Sequence, residues 1–144
     1  MSKQVTEDAK GLVKKAIAFY KATGKRIALS EYSNPEGMFV QDEMYIYVLN
    51  PRGTILAHGF NEKFVGEDFI DVKDYDGKYF VKKIVNTANT EGSGWVEYKW
   101  YHRITGQVLP KAVYFEKVDD MIICSSDYKE YPKGAVLKQE TSQS

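Results

Sequence analysis

The first part of the chain carries apolar residues at helical spacing. Between Val5 and Tyr20 they recur every three or four positions, and lysines occupy the opposite side of the stretch. This pattern predicts a long amphipathic helix. Gly24 is expected to end it, because glycine adopts the left-handed conformation at no steric cost. Residues 25–32 predict a short second helix, and residues 34–37 predict a turn.

After that turn the apolar period changes from helical to extended. Residues 44–49 predict a strand that is apolar on both faces, and residues 54–58 predict a second strand that forms a hairpin with it. Residues 59–76 predict a long loop, a kind of segment that often covers a binding site.

Helical spacing resumes over residues 78–88, with Asp74 or Asp76 as the candidate N-cap. Three further strands are predicted at residues 95–101, 107–118 and 121–126. Because short turns join them, neighbouring strands should be antiparallel.

This order of elements predicts an α+β fold, with one antiparallel sheet and the long helix on one of its faces. If the first hairpin pairs with the last strand, the sheet has five strands, as in PAS-like sensor domains. We expect residues 1–130 to form a single domain and residues 131–144 to be a flexible polar tail.

Composition excludes several classes of function. Lys plus Arg equals Asp plus Glu, 20 against 20, so no net charge attracts nucleic acid. One cysteine, Cys124, and two histidines, His58 and His102, do not make a zinc-binding pattern. No apolar run is long enough for a membrane span, and we expect no direct membrane insertion and no cofactor.

An aromatic hairpin carries the most specific chemistry. Strand alternation places Val96, Tyr98 and Trp100 on one face, and the following strand brings Lys111 close to it. Apolar walls, a few hydroxyl groups and one positive charge are typical of a pocket for a small anion. The alternative is a lysine on an exposed edge and tyrosines that only fill the core.

Taken together, these segments resemble the single Cache family of extracytoplasmic sensor domains. The resemblance covers residues 9–129 and rests on motifs in matching order, namely Tyr45-Ile46-Tyr47-Val48-Leu49-Asn50, Leu56-Ala57-His58, Val65-Gly66, Asp74-Tyr75-Asp76-Gly77-Lys78, Gly94-Trp95-Val96-Glu97-Tyr98-Lys99-Trp100, and Lys111 with Tyr114.

The resemblance implies a non-catalytic sensor for an organic acid of two to four carbons, of the signal transduction or chemotaxis type. The ligand would lie between the sheet and residues 59–88. The implied ligand-binding residues are Tyr45, Tyr47, His58, Tyr98, Trp100, Lys111 and Tyr114.

Within that set, Lys111 would neutralise the carboxylate. His58 would either donate to a ligand oxygen or bond a backbone carbonyl. Tyr114 is three residues from Lys111, so the two can share a pocket only through a bulge or a twist. Partners implied by the resemblance are a membrane receptor or kinase and a second copy bound through the N-terminal helix.

The last strand departs from the family pattern. It reads Ile123-Cys124-Ser125-Ser126-Asp127-Tyr128 where family members usually carry a glycine-rich run, which predicts a change in pocket volume or ligand class. The first thirty residues do not show a signal-peptide pattern, so we expect a periplasmic location from the resemblance alone, and a cytoplasmic location is the alternative.

Rival functions remain open at this point. A PAS-type haem or flavin sensor would need His58 or His102 as an axial ligand, and His102 lies in a predicted turn where a solvated imidazole is expected. An interaction module that dimerises through the N-terminal helix is another alternative. An enzyme is not expected, because Cys124 has no neighbouring histidine in sequence.

Overall fold

A computed structural model of the chain describes residues 2–41, 43–102 and 104–129, with side chains described from Asp8 onward. The predicted tail, residues 131–144, lies outside this range. In chain order the elements are α1 (Ser2–Thr23), α2 (Lys25–Tyr32), β1 (Val40–Gln41), β2 (Met44–Leu49), β3 (Ile55–His58), a 3-10 helix (Glu62–Phe64), α3 (Phe80–Glu91), β4 (Ser93–Tyr101), β5 (Val108–Val118) and β6 (Met121–Tyr128).

The strands form one antiparallel sheet in the order β1-β2-β6-β5-β4, with β3 on the same edge of β2 as β1. Pairing of β2 with β6 joins the first hairpin to the end of the chain and places Tyr47 opposite Cys124. The α+β fold and all five predicted strands are confirmed. The sixth strand, β1, has only two residues, too few to show a period in the sequence.

Side-chain alternation gives the sheet two different faces. On one face Ile46, Val48 and Ile123 pack against α1 and α2. On the other face Tyr47 and Leu49 pack with α3 and the segment before it. Neighbouring residues of the same strand therefore belong to two separate hydrophobic clusters.

Helix α1 buries its apolar stripe against its own sheet. The buried positions, at helical spacing, are Ala9, Leu12, Val13, Ala16 and Ile17. Gly24 has a φ of 90° and a ψ of 169°, so it takes the positive φ that was expected but in an extended conformation, and the chain enters α2 directly. Of the helices in the described part of the chain, none is long and apolar enough to cross a bilayer.

The covering segment, residues 59–79, runs from β3 to α3. It contains the 3-10 helix, which Asn61 caps by accepting a hydrogen bond from the Lys63 N–H at 3.0 Å. The prediction that Asp74 or Asp76 caps α3 is wrong, because Tyr79 occupies that position and makes no side-chain cap.

Asp74 instead ties the covering segment to the edge of the sheet. Its Oδ1 accepts from the Asp76 and Lys78 N–H groups at 2.9 and 2.8 Å, and its Oδ2 accepts from the Lys99 N–H of β4 at 2.8 Å. Burial acts to raise the pKa of Asp74, but the three N–H donors outweigh it and the pKa lies below its ordinary value.

The Asp74→Asn variant should destabilise the protein by about 1 to 3 kcal/mol at pH 7, because an amide cannot accept all three bonds and loses their charge assistance. A lowered carboxyl pKa contributes stability above the unfolded-state value and loses it as pH falls through the folded-state value. The free energy of unfolding of the unaltered protein and that of Asp74→Asn, both measured in urea, should therefore approach each other toward pH 3.

The matched control for this experiment is Asp76→Asn. Asp76 is exposed and two residues away, so its replacement should change stability by no more than about 0.5 kcal/mol. Equal effects of the two variants would show that the Asp74 bonds do not hold the segment.

Candidate ligand-binding site

A cavity of about 610 Å³ lies between the sheet and the covering segment. Residues of β2, β4 and β5 form its floor. Its roof consists of Phe60, Phe64, Phe69 and Val72 from the covering segment and Phe80 and Val81 from α3. The cavity therefore occupies the place that the family resemblance implied.

Most of the predicted ligand-binding residues meet at this cavity. They come from four strands and line it together, namely Tyr45, Tyr47, His58, Tyr98, Trp100 and Lys111. They share one face because each lies at an alternate position of its strand, with Tyr98 directly opposite Lys111 and Tyr47 opposite His58.

Tyr114 is the exception, because it does not line the cavity with the others. Strand β5 pairs with β4 in an unbroken register, so no bulge rotates Tyr114 to the face of Lys111. Tyr114 packs with the α1 cluster on the other face and donates a hydrogen bond to Glu116 at 2.8 Å. A regular strand separates residues three apart, and the sequence signal for this was the spacing itself.

Lys111 places a positive charge in an aromatic enclosure. Its side chain is only 4% exposed, and its Nζ lies 4.7, 5.9 and 6.0 Å from the ring centroids of Tyr128, Tyr98 and Tyr45. Burial lowers the pKa of Lys111 to about 8, against a smaller raising effect of Asp127 and Glu43. The Lys111 side chain is thus mostly charged at neutral pH, but the nearby carboxylates do not fully offset the cost of burying that charge.

Two phenol groups that line the cavity differ in their bonding. The Tyr98 hydroxyl bonds Ser126 Oγ at 3.2 Å. The Tyr47 hydroxyl is buried and has no hydrogen-bond partner among the described residues. Burial raises the pKa of Tyr47, and the nearby Tyr98 raises it further, although the two hydroxyl groups do not meet hydrogen-bond geometry. A buried hydroxyl without a partner is destabilising.

His58 lines the cavity as a neutral imidazole. Its Nδ1 accepts from the backbone N–H groups of Phe60 and Asn61 at 3.3 and 3.0 Å. This assigns the ring proton to Nε2. Burial first, and then the charge of Lys111, lower the pKa of His58 to about 4. The predicted bond to a backbone carbonyl is therefore replaced by acceptance from two N–H groups, and donation from Nε2 to a ligand stays a prediction.

His102 is not the solvated turn residue that was expected. It is fully buried, its ring lies 4.5 Å from that of Tyr128, and its Nδ1 accepts from the Ile104 and Thr105 N–H groups at 3.2 Å each. It does not line the cavity. Both histidines bond the N–H groups two and three residues ahead, which makes them turn-closing residues. Among the described residues, no group of three or more His, Cys, Asp or Glu side chains is placed to hold a metal ion.

Sequence analysis missed Tyr128, which lies opposite Lys111 and donates a hydrogen bond to the Tyr101 carbonyl at 2.8 Å. The predicted last strand ended at Ser126, and extending its alternation by two residues would have found Tyr128. Two of the departures in β6, Cys124 and Ser126, lie at alternate positions of the strand and therefore on the same face as the cavity. Ser126 contacts Tyr98, and Cys124 is buried in the α3 cluster, where burial raises the pKa of its thiol.

Comparison with known proteins identifies the class. The structure is similar to a methyl-accepting chemotaxis protein from Vibrio parahaemolyticus, with a TM-score of 0.73 and 17% identity over 87% of this chain and 88% of that one. It is also similar to the periplasmic sensor domain of a chemotaxis protein, with a TM-score of 0.65 and 23% identity over 88% and 92% of the two chains.

A third similar structure is a Cache chemosensory domain described for carboxylic acid recognition, with a TM-score of 0.63 and 22% identity over 88% and 90% of the two chains. No match was found among curated proteins. The fold is thus that of a Cache sensor domain. The model of the single Cache domain 2 family matches residues 1–135, and the chain belongs to this family.

Tyr47→Phe and Tyr98→Phe should have opposite effects on the stability of the ligand-free protein. Removing the unpartnered Tyr47 hydroxyl should raise the free energy of unfolding by about 1 kcal/mol, because a desolvated polar atom is removed. Removing the Tyr98 hydroxyl should lower it by about 0.5 to 1.5 kcal/mol, because Ser126 loses its partner. Urea unfolding of both variants checks this, and a destabilised Tyr47→Phe would contradict it.

Proposed function

We propose that this domain senses an organic acid whose carboxylate binds next to Lys111, and that it passes the signal on without catalysis. One observation carries the proposal: a buried ammonium at the end of a largely apolar cavity. A carboxylate that enters such a cavity needs a cationic partner, since burial of an unpaired charge is strongly unfavourable. A charge-assisted hydrogen bond in a dry site is about twice as strong as a neutral one.

Neutral donors in the same cavity fit the same ligand. The Nε2–H group of His58 and the unpartnered hydroxyl of Tyr47 belong to residues that line the cavity with Lys111. We assign them the orientation of the carboxylate or of an adjacent oxygen. The apolar wall of Trp100 and Phe80 would contact the carbon chain.

The family resemblance implies an acid of two to four carbons, and this size class is tested separately from the charge.

Two similar domains are described as parts of chemotaxis proteins, one of them periplasmic. We therefore propose a periplasmic location and a receptor or kinase as output partner, with α1 as the element that responds. Strands β2 and β6 support this, because alternate residues of both contact the cavity side and α1.

Lys111→Met should keep the fold and reduce carboxylate affinity by at least 100-fold, because it removes the charge but retains an apolar stem of similar length. Isothermal titration calorimetry with short monocarboxylates measures the loss, after a thermal-shift screen has identified acids that bind. The matched control is Lys99→Met, since Lys99 lies on the neighbouring strand and is exposed on the other face. Undiminished affinity in Lys111→Met would show that another group holds the acid.

Acid affinity should also fall as pH rises above about 8. The charged form of Lys111 binds the anion, and its pKa in the free protein is about 8, so each further pH unit should weaken binding by up to about tenfold. His58 is already neutral above pH 6, and the pKa values of Tyr47 and Tyr98 are raised, so these three groups do not titrate in this window. An affinity that is constant from pH 7 to 10 would contradict the role of Lys111.

A further inference from the structure

The cavity has two chemically different ends. The polar end contains Lys111 and the rings of Tyr45, Tyr98 and Tyr128 around it. The apolar end is formed by hydrocarbon side chains, namely Leu49, Ile55, Phe64, Phe69, Val72 and Val81. A ligand anchored at the polar end would extend toward this second compartment.

The length of the cavity follows from the strand geometry. Tyr45, Tyr47 and Leu49 are alternate residues of β2 and all line it. Four residues of extended chain, at about 3.3 Å each, span roughly 13 Å. The three carbon–carbon bonds of a four-carbon acid, about 1.5 Å each, reach at most about 4.5 Å. Such an acid held at Lys111 does not extend to Leu49.

The volume leads to the same conclusion. A four-carbon acid has six non-hydrogen atoms, which at the volume of about 30 Å³ per liquid water occupy about 180 Å³. This is less than a third of the 610 Å³ available. Leu49, Ile55 and Val81 form the inner wall of the apolar end and are each at most 1% exposed, whereas Phe64, Phe69 and Val72 on its other side are half-buried.

We propose that the ligand is a monocarboxylate with an apolar body of about six to ten carbons, which places its hydrocarbon part among the residues of the apolar end. This inference rests on the proposed function, since it takes the carboxylate to be held at Lys111. Two carboxylates would not fit the cavity, because the lining residues of the apolar end have no polar side chain to compensate a second charge.

A series of linear monocarboxylates from acetate to decanoate, titrated calorimetrically into the 144-residue protein, tests this. Each methylene that enters the apolar end should tighten binding about fourfold, so octanoate, with four more methylenes, should bind about 250-fold more tightly than butanoate. Octanedioate, with the same length and a second charge, should bind at least 100-fold more weakly than octanoate. Equal or weaker binding beyond butanoate, or octanedioate as tight as octanoate, would overturn the inference.

Filling the apolar end supplies an independent test. Val72→Trp adds a large side chain to the apolar end, and it should reduce the ratio of octanoate affinity to acetate affinity by at least tenfold. The matched control is Val65→Trp in the same covering segment, because Val65 is 43% exposed and does not line the cavity. An unchanged ratio in Val72→Trp would overturn the inference, since the chain would then lie elsewhere.

The two proposals fail in distinguishable ways. If acetate and propanoate bind through Lys111 but longer acids bind no better, the proposed function stands and the inference about size is wrong. If no acid of any length binds, or if Lys111→Met leaves octanoate affinity unchanged, the proposed function is wrong as well.

Discussion

The pairing of β2 with β6 is the constraint on which the rest of this structure depends. It joins an early strand to the last one, so the sheet is complete only when both ends of the domain have come together. Because side chains alternate, the same pair builds both hydrophobic clusters, with Val48 and Ile123 against α1 and Tyr47 and Cys124 toward α3. A one-residue shift in the register of this strand pair would exchange the two faces, so each side chain would be buried in the wrong cluster.

The face of the sheet that lines the cavity carries two groups that lower stability. A buried ammonium with a lowered pKa and a buried hydroxyl without a partner are both unfavourable in the ligand-free protein. The apolar cluster around α3 and the α1 cluster supply the burial that offsets them. A ligand with one negative charge and one hydrogen-bond acceptor would pair with both the ammonium and the hydroxyl. Removal of these two unfavourable terms would contribute to the free energy of binding.

The covering segment is held by backbone–backbone hydrogen bonds to residues 53–55 and to Lys99, and by backbone hydrogen bonds to a few polar side chains. The Asp74 carboxylate anchors it to β4, and the His58 imidazole anchors its start at the end of β3. Aromatic residues from the segment then complete the cavity, as in the edge-to-face contact of Phe64 with His58. Such an arrangement positions a roof over the site without a long run of regular secondary structure.

Much of the fold and most of the site followed from local patterns. Strand alternation placed Tyr98 and Trp100 on one face, and the family motifs in their order added Tyr45, Tyr47, His58 and Lys111. Their placement at one cavity could be predicted because strand period and motif order are properties of the chain itself, while their contact with a ligand stays a prediction. Alternation also contained the evidence against Tyr114, whose spacing from Lys111 required a bulge that β5 does not have.

What the sequence by itself determined was the class of fold, the order of the five predicted strands along the chain, and the family. Only the tertiary structure decided which polar atoms find partners: Asp74 bonds a strand 25 residues away, His102 is buried behind Tyr128, and the Tyr47 hydroxyl has no partner among the described residues. It also decided the size of the cavity, to which Leu49, Phe69 and Val81 contribute from separate elements. Distances between residues far apart in the chain are set by packing, and local periodicity carries no information about them.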